Sequence, residues 1–266
     1  MLRGYPLEIR SEEHRAALLR DCRYFHLRGL EQMLIPHHIS FDPIEKHSDI
    51  VVRLEDVRQS GIEIRLPMND SSIPTEFERQ TNIRLKAWEA TYARPFTDSH
   101  PHDLIVQTGA DEAVIDPSEP RVKFYGAAHD KMKSLLQLMV NKINPPPNTP
   151  SALFNNYGFF RVTVDDADLT VNGERIDNPA MFCDEAGDLR NSSLARPGDR
   201  SEPPPSKRRR MVQELKGNMN WAVRTGQWSL GVVLLDEGMV DVIITGLKLD
   251  VYTEAKERYR ARGFLS

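Results

Sequence analysis

The sharpest chemical signal in the sequence is a run of four cations, Lys207, Arg208, Arg209 and Arg210, which follows three prolines and a serine. A nuclear import receptor binds such a run in an extended conformation, because its acidic and aromatic pockets hold each cation separately. The alternatives are a solvated charge run in a linker and a weak, salt-sensitive contact with a DNA backbone. We therefore interpret the run as a candidate nuclear-localisation signal and expect the protein in the nucleus, with the cytoplasm as the alternative.

Two groups of histidines are the places where metal ligands could gather. One is His37–His38, and the other comprises His100, His102 and Asp103. A zinc site needs three or four convergent ligands, and no cysteine pair supports either group. We interpret both groups as polar loop residues and predict neither a metal nor a cofactor.

The sequence contains no recognised catalytic motif. The stretch "DADLTVNGE" has Pro179 where a calcium loop would place its last carboxylate, so a hairpin is favoured there. There is no Gly-rich phosphate loop, nucleophile elbow or His-Glu-x-x-His. We interpret Trp88, Trp221 and Trp228 as core or interface anchors rather than base-stacking platforms. We expect that the chain is not an enzyme, and an active site without a recognised motif stays the alternative.

The bulk composition sets broad limits. The chain has 266 residues, of which 39% are hydrophobic and 28% charged, with 18 Pro, which predicts ordered domains interrupted by disordered segments. A net charge of −4 argues against a protein that coats nucleic acid. Only Cys22 and Cys183 are present, so a disulfide framework is not expected. No apolar run approaches the roughly 20 residues that span a bilayer, and we expect a soluble intracellular protein.

Two short amphipathic helices are predicted before Pro36. Ser11 is the expected N-cap, followed by Glu12 and Glu13 where the helix dipole favours negative charge. Pro36 should end the second helix. Apolar residues recur at helical spacing, at Leu18, Leu19, Cys22, Phe25, Leu27, Leu30, Met33 and Leu34. Helices this short cannot bury their apolar faces against each other alone and need another element to pack on.

Residues 37–183 show the pattern of a mixed α+β region. Runs of β-branched and aliphatic residues predict strands near residues 50–54, 62–64, 103–116, 121–125, 159–164 and 169–176. Residues 83–96 fit either a strand or a helix. The clearest helix covers residues 127–143, with Met132, Leu135, Leu136, Met139 and Ile143 on one face. Asn172–Gly173 favours a type I′ turn between two strands.

The C-terminal third divides into a polar linker and a strand-rich segment. Residues 184–210 contain almost no apolar residues before the basic run, and we interpret them as disordered. Residues 211–266 carry two apolar runs that predict strands joined near residues 236–238, followed by a short polar helix. Because an isolated hairpin is marginal in water, we expect this segment to pack on residues 37–183.

The opening stretch "LLRDCRYFHLRGLEQML" resembles the closing helices of a BTB/POZ domain of the potassium-channel tetramerisation type. Members of that family end on a pattern close to Leu-Leu-x-x-Ala-x-Tyr-Phe-x-Leu-x-x-Leu. The matching positions are Leu18, Leu19, Cys22, Tyr24, Phe25, Leu27 and Leu30, with Cys22 where the family has Ala. The preceding "LRGYPLEI" is also similar to a segment of the family. The likeness covers residues 1–36, and the remainder resembles the C-terminal region of fungal proteins that carry such a domain.

This resemblance implies an α+β fold in which residues 1–36 are truncated BTB-type helices ahead of the strand-rich domain. It also implies a non-enzymatic, oligomerising interaction scaffold connected with transcription, or alternatively a substrate adaptor of a cullin-based ubiquitin ligase. The implied partners are a second copy bound through the BTB domain, a cullin scaffold or transcription factors. We expect that the protein does not associate with a membrane and does not bind nucleic acid directly. Since the first strands of the BTB fold are missing here, the apolar face of the two helices should be poorly covered.

Overall fold

The computed structural model describes residues 8–43, 47–66, 86–116, 121–143, 159–164, 166–176, 220–234 and 240–253. Within these ranges the chain forms a mixed α+β fold, which confirms the predicted class. The helices are α1 (Glu12–Tyr24), α2 (Arg28–Leu34) and α3 (Gly126–Ile143). The strands are β1 (His37–Asp42), β2 (His47–Arg53), β3 (Ile62–Arg65), β4 (Lys86–Tyr92), β5 (His102–Thr108), β6 (Ala113–Asp116), β7 (Arg121–Phe124), β8 (Phe159–Thr163), β9 (Asp168–Val171), β10 (Glu174–Ile176), β11 (Trp221–Leu234) and β12 (Val240–Thr253).

The two N-terminal helices form where the sequence predicts them. The Ser11 hydroxyl accepts a hydrogen bond from the His14 amide at 3.2 Å and caps α1. His26, with φ of 53°, occupies the left-handed region and separates α1 from α2. Helix α2 ends at Leu34, two residues before Pro36. No helix within the described ranges is both long and apolar enough to cross a membrane.

All the described strands belong to one sheet, in the order β1-β2-β5-β4-β11-β6-β7-β8-β12-β9-β10, with β3 on β4. Its centre is the antiparallel pair β11 and β12, each 14 residues long. On the side away from β12, β11 pairs successively with β6, β5 and β4. On the side away from β11, β12 pairs in parallel with β8 and β9. Since β8 pairs with β7, β7 with β6 and β6 with β11, these strands and β12 close into a ring.

The core fills the space between this sheet and α3. Met132, Leu135, Leu136 and Met139 of α3 are fully buried, as their spacing predicts. Helix α3 contacts β3, β7, β11 and the 3₁₀ turn Leu54–Asp56. Trp221 and Trp228 are fully buried and Trp88 packs partly buried against the core, which confirms the interpretation of the tryptophans as anchors.

The stretch that fitted either a strand or a helix forms β4. Ala90, Thr91 and Tyr92 are buried in succession, so no period of two marks the strand, and its pairing with β3, β5 and β11 decides its structure. The Asn172–Gly173 turn has φ of 56° and 87° at its two central positions, as a type I′ turn requires, and joins β9 to β10. Both local predictions are thus resolved by the structure.

The prediction that the two histidine groups lie in loops is wrong except for His100. His37 and His38 begin β1, and His102 and Asp103 begin β5. Polar residues fit there because β1 is an exposed edge strand and the start of β5 is half-buried. The described residues do not include Cys183, the closing helix or the linker 184–210 with Lys207, Arg208, Arg209 and Arg210.

Candidate interaction surface

One buried carboxylate fixes the N-terminal helices to the sheet domain. Glu31 of α2 has a side chain that is only 11% exposed. It accepts hydrogen bonds from Arg23 Nε of α1 at 3.1 Å and from Arg58 Nη2, two residues after the 3₁₀ turn Leu54–Asp56, at 2.6 Å. A carboxylate shared by two guanidinium groups in a partly buried site gives strong, directional hydrogen bonds. Glu31 therefore joins α1, α2 and the sheet domain at a single point.

Neighbouring contacts reinforce this junction. The Tyr92 hydroxyl donates to Gln32 Oε1 at 3.5 Å, and both residues are buried. Burial raises the pKa of the Tyr92 hydroxyl, and the hydrogen bond and charge of Arg58 oppose that rise. The same hydroxyl accepts a hydrogen bond from the Arg58 amide at 3.2 Å, so it links α2 to the segment that carries Arg58. Arg15 Nη1 donates to the Leu34 carbonyl at 3.1 Å and ties α1 to the end of α2.

We expected the apolar face of α1 and α2 to be poorly covered. For most of the apolar residues on that face, this expectation is wrong. Leu34 and Cys22 are buried, Leu19 packs against the core, and Leu18, Leu27 and Leu30 are half-buried. The helices pack on the sheet domain that follows them in the chain, which local sequence patterns could not reveal. Burial, followed by the charges of Glu31 and Asp21, raises the pKa of the Cys22 thiol and keeps it protonated.

Two aromatic residues of the helices remain on the surface. Tyr24 and Phe25, at the end of α1, are 77% and 64% exposed. Their rings meet edge to face, with centroids 4.9 Å apart. The pair matches the Tyr-Phe of the BTB-type pattern. Large exposed aromatic side chains are typical of surfaces that bind another protein.

A third exposed aromatic, Phe96, lies beside the start of α2. It is 75% exposed, and its φ of 68° is a strained value for a bulky residue. A side-chain carbon built at Gly29 of α2 would lie 3.6 Å from Phe96 Cβ, so the two elements are in near contact. The turn is held by Arg94, whose amide and guanidinium donate to the buried Asp98 carboxylate at 2.6–3.1 Å.

A cavity of about 440 Å³ opens between α2 and the Phe96 turn. Its lining consists of Arg28, Glu31, Gln32, Arg58, Ser60, Pro95 and Phe96. The lining holds two arginines, Arg28 and Arg58, and one carboxylate, Glu31, which already accepts from Arg58, so the cavity suits an acidic or amide group carried next to an apolar side chain. Together, the Tyr24–Phe25 pair, Phe96 and this cavity form what we call the helical surface.

A separate polar group lies on the sheet, at the start of β2 and β5. His47 Nε2 is 3.7 Å from Asp49 Oδ1 and 3.6 Å from Asp103 Oδ2, and the ligand atoms of all three lie within 4.8 Å of one another. The parallel register places Asp49 directly opposite Asp103. These atoms could hold a divalent cation. Arg65 Nη2, at 2.5 Å from Asp103 Oδ1, already neutralises part of the negative charge.

Sequence reasoning missed most residues of both sites. His47 and Asp49 sit at i, i+2 on one strand, and only the pairing of β2 with β5 brings Asp103 to them. Glu31, Arg58 and Phe96 likewise come from separate segments, and no local pattern marks them. Among the missed residues, the i, i+2 spacing of His47 and Asp49 is the one local signal in the sequence.

Comparisons with known proteins give two distant relatives. The chain is 28% identical over 181 residues to the uncharacterized protein YDR132C of Saccharomyces cerevisiae, covering 57% of this chain and 35% of that protein. It is 27% identical over 151 residues to the BTB/POZ domain-containing protein YLR108C of the same yeast, covering 43% of this chain and 31% of that protein. No family model and no solved structure matches. The chain spans about a third of the length of these relatives and is distantly similar to a BTB/POZ domain-containing protein.

Proposed function

We propose that the chain is a non-enzymatic protein-interaction scaffold related to BTB/POZ proteins, with α1 and α2 as the closing helices of such a domain. The single observation that carries the proposal is the exposed Tyr24–Phe25 pair on helices that Glu31 fixes to the sheet domain. The distant similarity to YLR108C supports the same relation. On this proposal, the helical surface receives a partner protein and the sheet domain acts as its rigid support.

The aromatic pair is exposed at the end of a helix that Glu31 anchors to the sheet domain. Buried aromatic anchors supply most of the binding energy at protein interfaces, and a fixed anchor loses little conformational entropy on binding. The contacts of Glu31 with Arg23 and Arg58 supply that rigidity. The neighbouring cavity adds guanidinium groups that select partners with an acidic or amide group.

Quantitative co-purification tests the scaffold role. The double variant Tyr24→Ser/Phe25→Ser should lose proteins that the wild-type chain retains from a nuclear extract. Tyr125→Ser is the matched control, since Tyr125 is an exposed aromatic next to α3 rather than on the helical surface. Both variants should keep the wild-type melting temperature. An unchanged set of bound proteins in the double variant would reject the proposal, and a stoichiometric cullin among them would favour the ligase-adaptor alternative.

We further propose that Lys207, Arg208, Arg209 and Arg210 direct this scaffold to the nucleus. A receptor groove would contact each cation separately, and a charge-assisted hydrogen bond contributes about 1 kcal/mol or more. Replacing Lys207, Arg208 and Arg209 with Ala should therefore move a fluorescent fusion to the cytoplasm without lowering its melting temperature. The fusion must be made too large for passive entry. Nuclear accumulation of the triple variant would identify the run as an ordinary linker segment.

A further inference from the structure

Strand β1 is an exposed edge of the sheet. Among the strands that the structure describes, it pairs only with β2, along the whole of His37–Asp42 and without a bulge. Five of its six residues are exposed. Proteins usually protect such an edge with a lysine, an internal proline or a bulge. The sequence "HHISFD" has no lysine or internal proline. The outer backbone N–H and C=O groups of β1 can therefore form hydrogen bonds with another strand.

The apolar side chains of β1 lie on the same face of the sheet as the core. Ile39 stands opposite Ile50 of β2, which is fully buried, yet Ile39 itself is 38% exposed. Phe41, two residues on and on the same face, is 65% exposed. The core face of the sheet therefore extends past its covered part onto β1, and an added strand there would shield both side chains.

The sequence of β1 is complementary to itself in one antiparallel register. With Ser40 opposite Ser40 of a second copy, Ile39 faces Phe41 and His38 faces Asp42, each pair occurring twice. A two-fold axis normal to the sheet keeps each residue on its own face, so the pairs meet on the correct sides. Pairs of an aromatic with a β-branched residue stabilise antiparallel strands, and the His38 imidazole can donate a hydrogen bond to the Asp42 carboxylate of the other copy.

We propose that β1 pairs with β1 of a second copy of this chain, antiparallel about a two-fold axis through Ser40. The sheets of the two copies then form one continuous sheet. This contact is independent of the helical surface and of the scaffold role proposed for it. A six-residue strand buries less area than a standard interface, so we expect a weak dimer that exchanges rapidly.

Cross-linking at the axis tests the pairing directly. In a Cys183→Ser background, Ser40→Cys places two thiols opposite each other, with Cβ atoms about 5 Å apart. The native Cys22 is buried. Glu174→Cys is the matched control, an exposed residue on β10 at the opposite end of the sheet. A short thiol-reactive cross-linker should give several-fold more covalent dimer with Ser40→Cys than with Glu174→Cys, and equal yields would overturn the proposal.

A charge test separates this register from other contacts. Adding His38→Asp to the Ser40→Cys protein sets two carboxylates opposite each other and should lower the yield several-fold, whereas His38→Lys should preserve it. His38 is exposed, so both variants should keep the melting temperature of the parent. Equal yields from the Asp and Lys variants would contradict the register. Adding Tyr24→Ser/Phe25→Ser should leave the yield unchanged, and loss of the dimer there would assign the contact to the helical surface instead.

Discussion

At the scale of single residues, Gly61 is the glycine, among those the structure describes, at which an added Cβ would meet the closest atom. It closes the 3₁₀ turn Gln59–Gly61, and its carbonyl accepts a hydrogen bond from the Ala93 amide at 2.9 Å. A Cβ at this position would lie 2.2 Å from the Ala93 carbonyl oxygen and 2.7 Å from the Tyr92 ring. The backbone oxygen cannot move aside without disrupting the end of β4. Glycine is therefore required here by close approach.

Gly61→Ala should lower the free energy of unfolding by about 1–3 kcal/mol, because a methyl group forced into a packed site displaces its neighbours. Urea denaturation measures the change. Gly29→Ala in α2 is the control, since its methyl group would make an ordinary contact 3.6 Å from Phe96. Alanine should stabilise that helix by up to about 1 kcal/mol. Equal effects at the two positions would contradict the close approach at Gly61.

The buried pair Arg94–Asp98 should make stability depend on acid pH. Burial raises the pKa of the Asp98 carboxyl, but the hydrogen bonds and charge of Arg94 prevail and hold that pKa below its usual value. A lowered folded-state pKa gives stability that is complete above the unfolded-state pKa, about 4, and is lost as pH falls through the folded-state value. The stabilisation from this pair should thus disappear on acidification below about pH 4.

Asp98→Asn should lower the free energy of unfolding by about 3 kcal/mol at neutral pH, since it leaves the Arg94 guanidinium buried without its charge partner. The difference in the free energy of unfolding between wild type and variant should become smaller below about pH 4. Denaturant titrations at several pH values measure both effects. Glu12→Gln breaks the exposed Glu12–Arg15 pair and should change stability by less than about 1 kcal/mol. A pH-independent gap for Asp98→Asn would refute the assignment.

At the scale of elements, the sequence predicts the features that depend only on residues close together in the chain. The cap at Ser11, the apolar face of α3 and the Asn172–Gly173 turn all depend on residues close together in the chain. The structure of β4 stayed open because its strand character comes from pairing with β3, β5 and β11. The parallel pairings of β2 with β5 and of β12 with β8 and β9 were likewise not predictable. For the same reason the sequence alone predicts loops at the histidines of β1 and β5.

Gly173→Ala tests the β9–β10 hairpin. Gly173 has φ of 87°, and a residue with a Cβ pays about 1–2 kcal/mol in the left-handed region. The variant should melt at a correspondingly lower temperature. Gly109→Ala is the control, because its added methyl group would only meet the Glu112 carboxylate at ordinary distance, 3.7 Å. A variant at Gly173 as stable as the control would mean that the turn relaxes to another type.

At the scale of the whole molecule, one sheet joins regions on both sides of the linker 184–210. Strand β11 pairs with β4, β5 and β6, and β12 pairs with β8 and β9. The domain boundaries suggested by composition stay predictions. Strand pairing nevertheless joins residues before the linker to the segment 211–266 that follows it. The helical surface shows the same limit: the sequence marked Tyr24 and Phe25, whereas Glu31 and Arg58 meet only after the sheet has formed.

Limited proteolysis should therefore cut the chain without separating its parts. The polar composition of residues 184–206 predicts cleavage there, and the strand pairs of β11 and β12 should hold the two fragments together. Gel filtration under native conditions should show both fragments in one peak, and denaturant should release them. Fragments that elute apart without denaturant would contradict the pairing across the linker.

The closed ring of β6, β7, β8, β12 and β11 has a consequence for synthesis. A ribosome releases β4 to β9 long before β11, which lies between β4 and β6 in the sheet, and β12, which lies between β8 and β9. Until the last strands emerge, the earlier ones expose unpaired edges and apolar faces, and the long-range pairings make folding slow. We therefore expect the nascent chain to need chaperones for most of its translation, and a premature stop before residue 221 to yield an aggregation-prone product rather than a smaller folded domain.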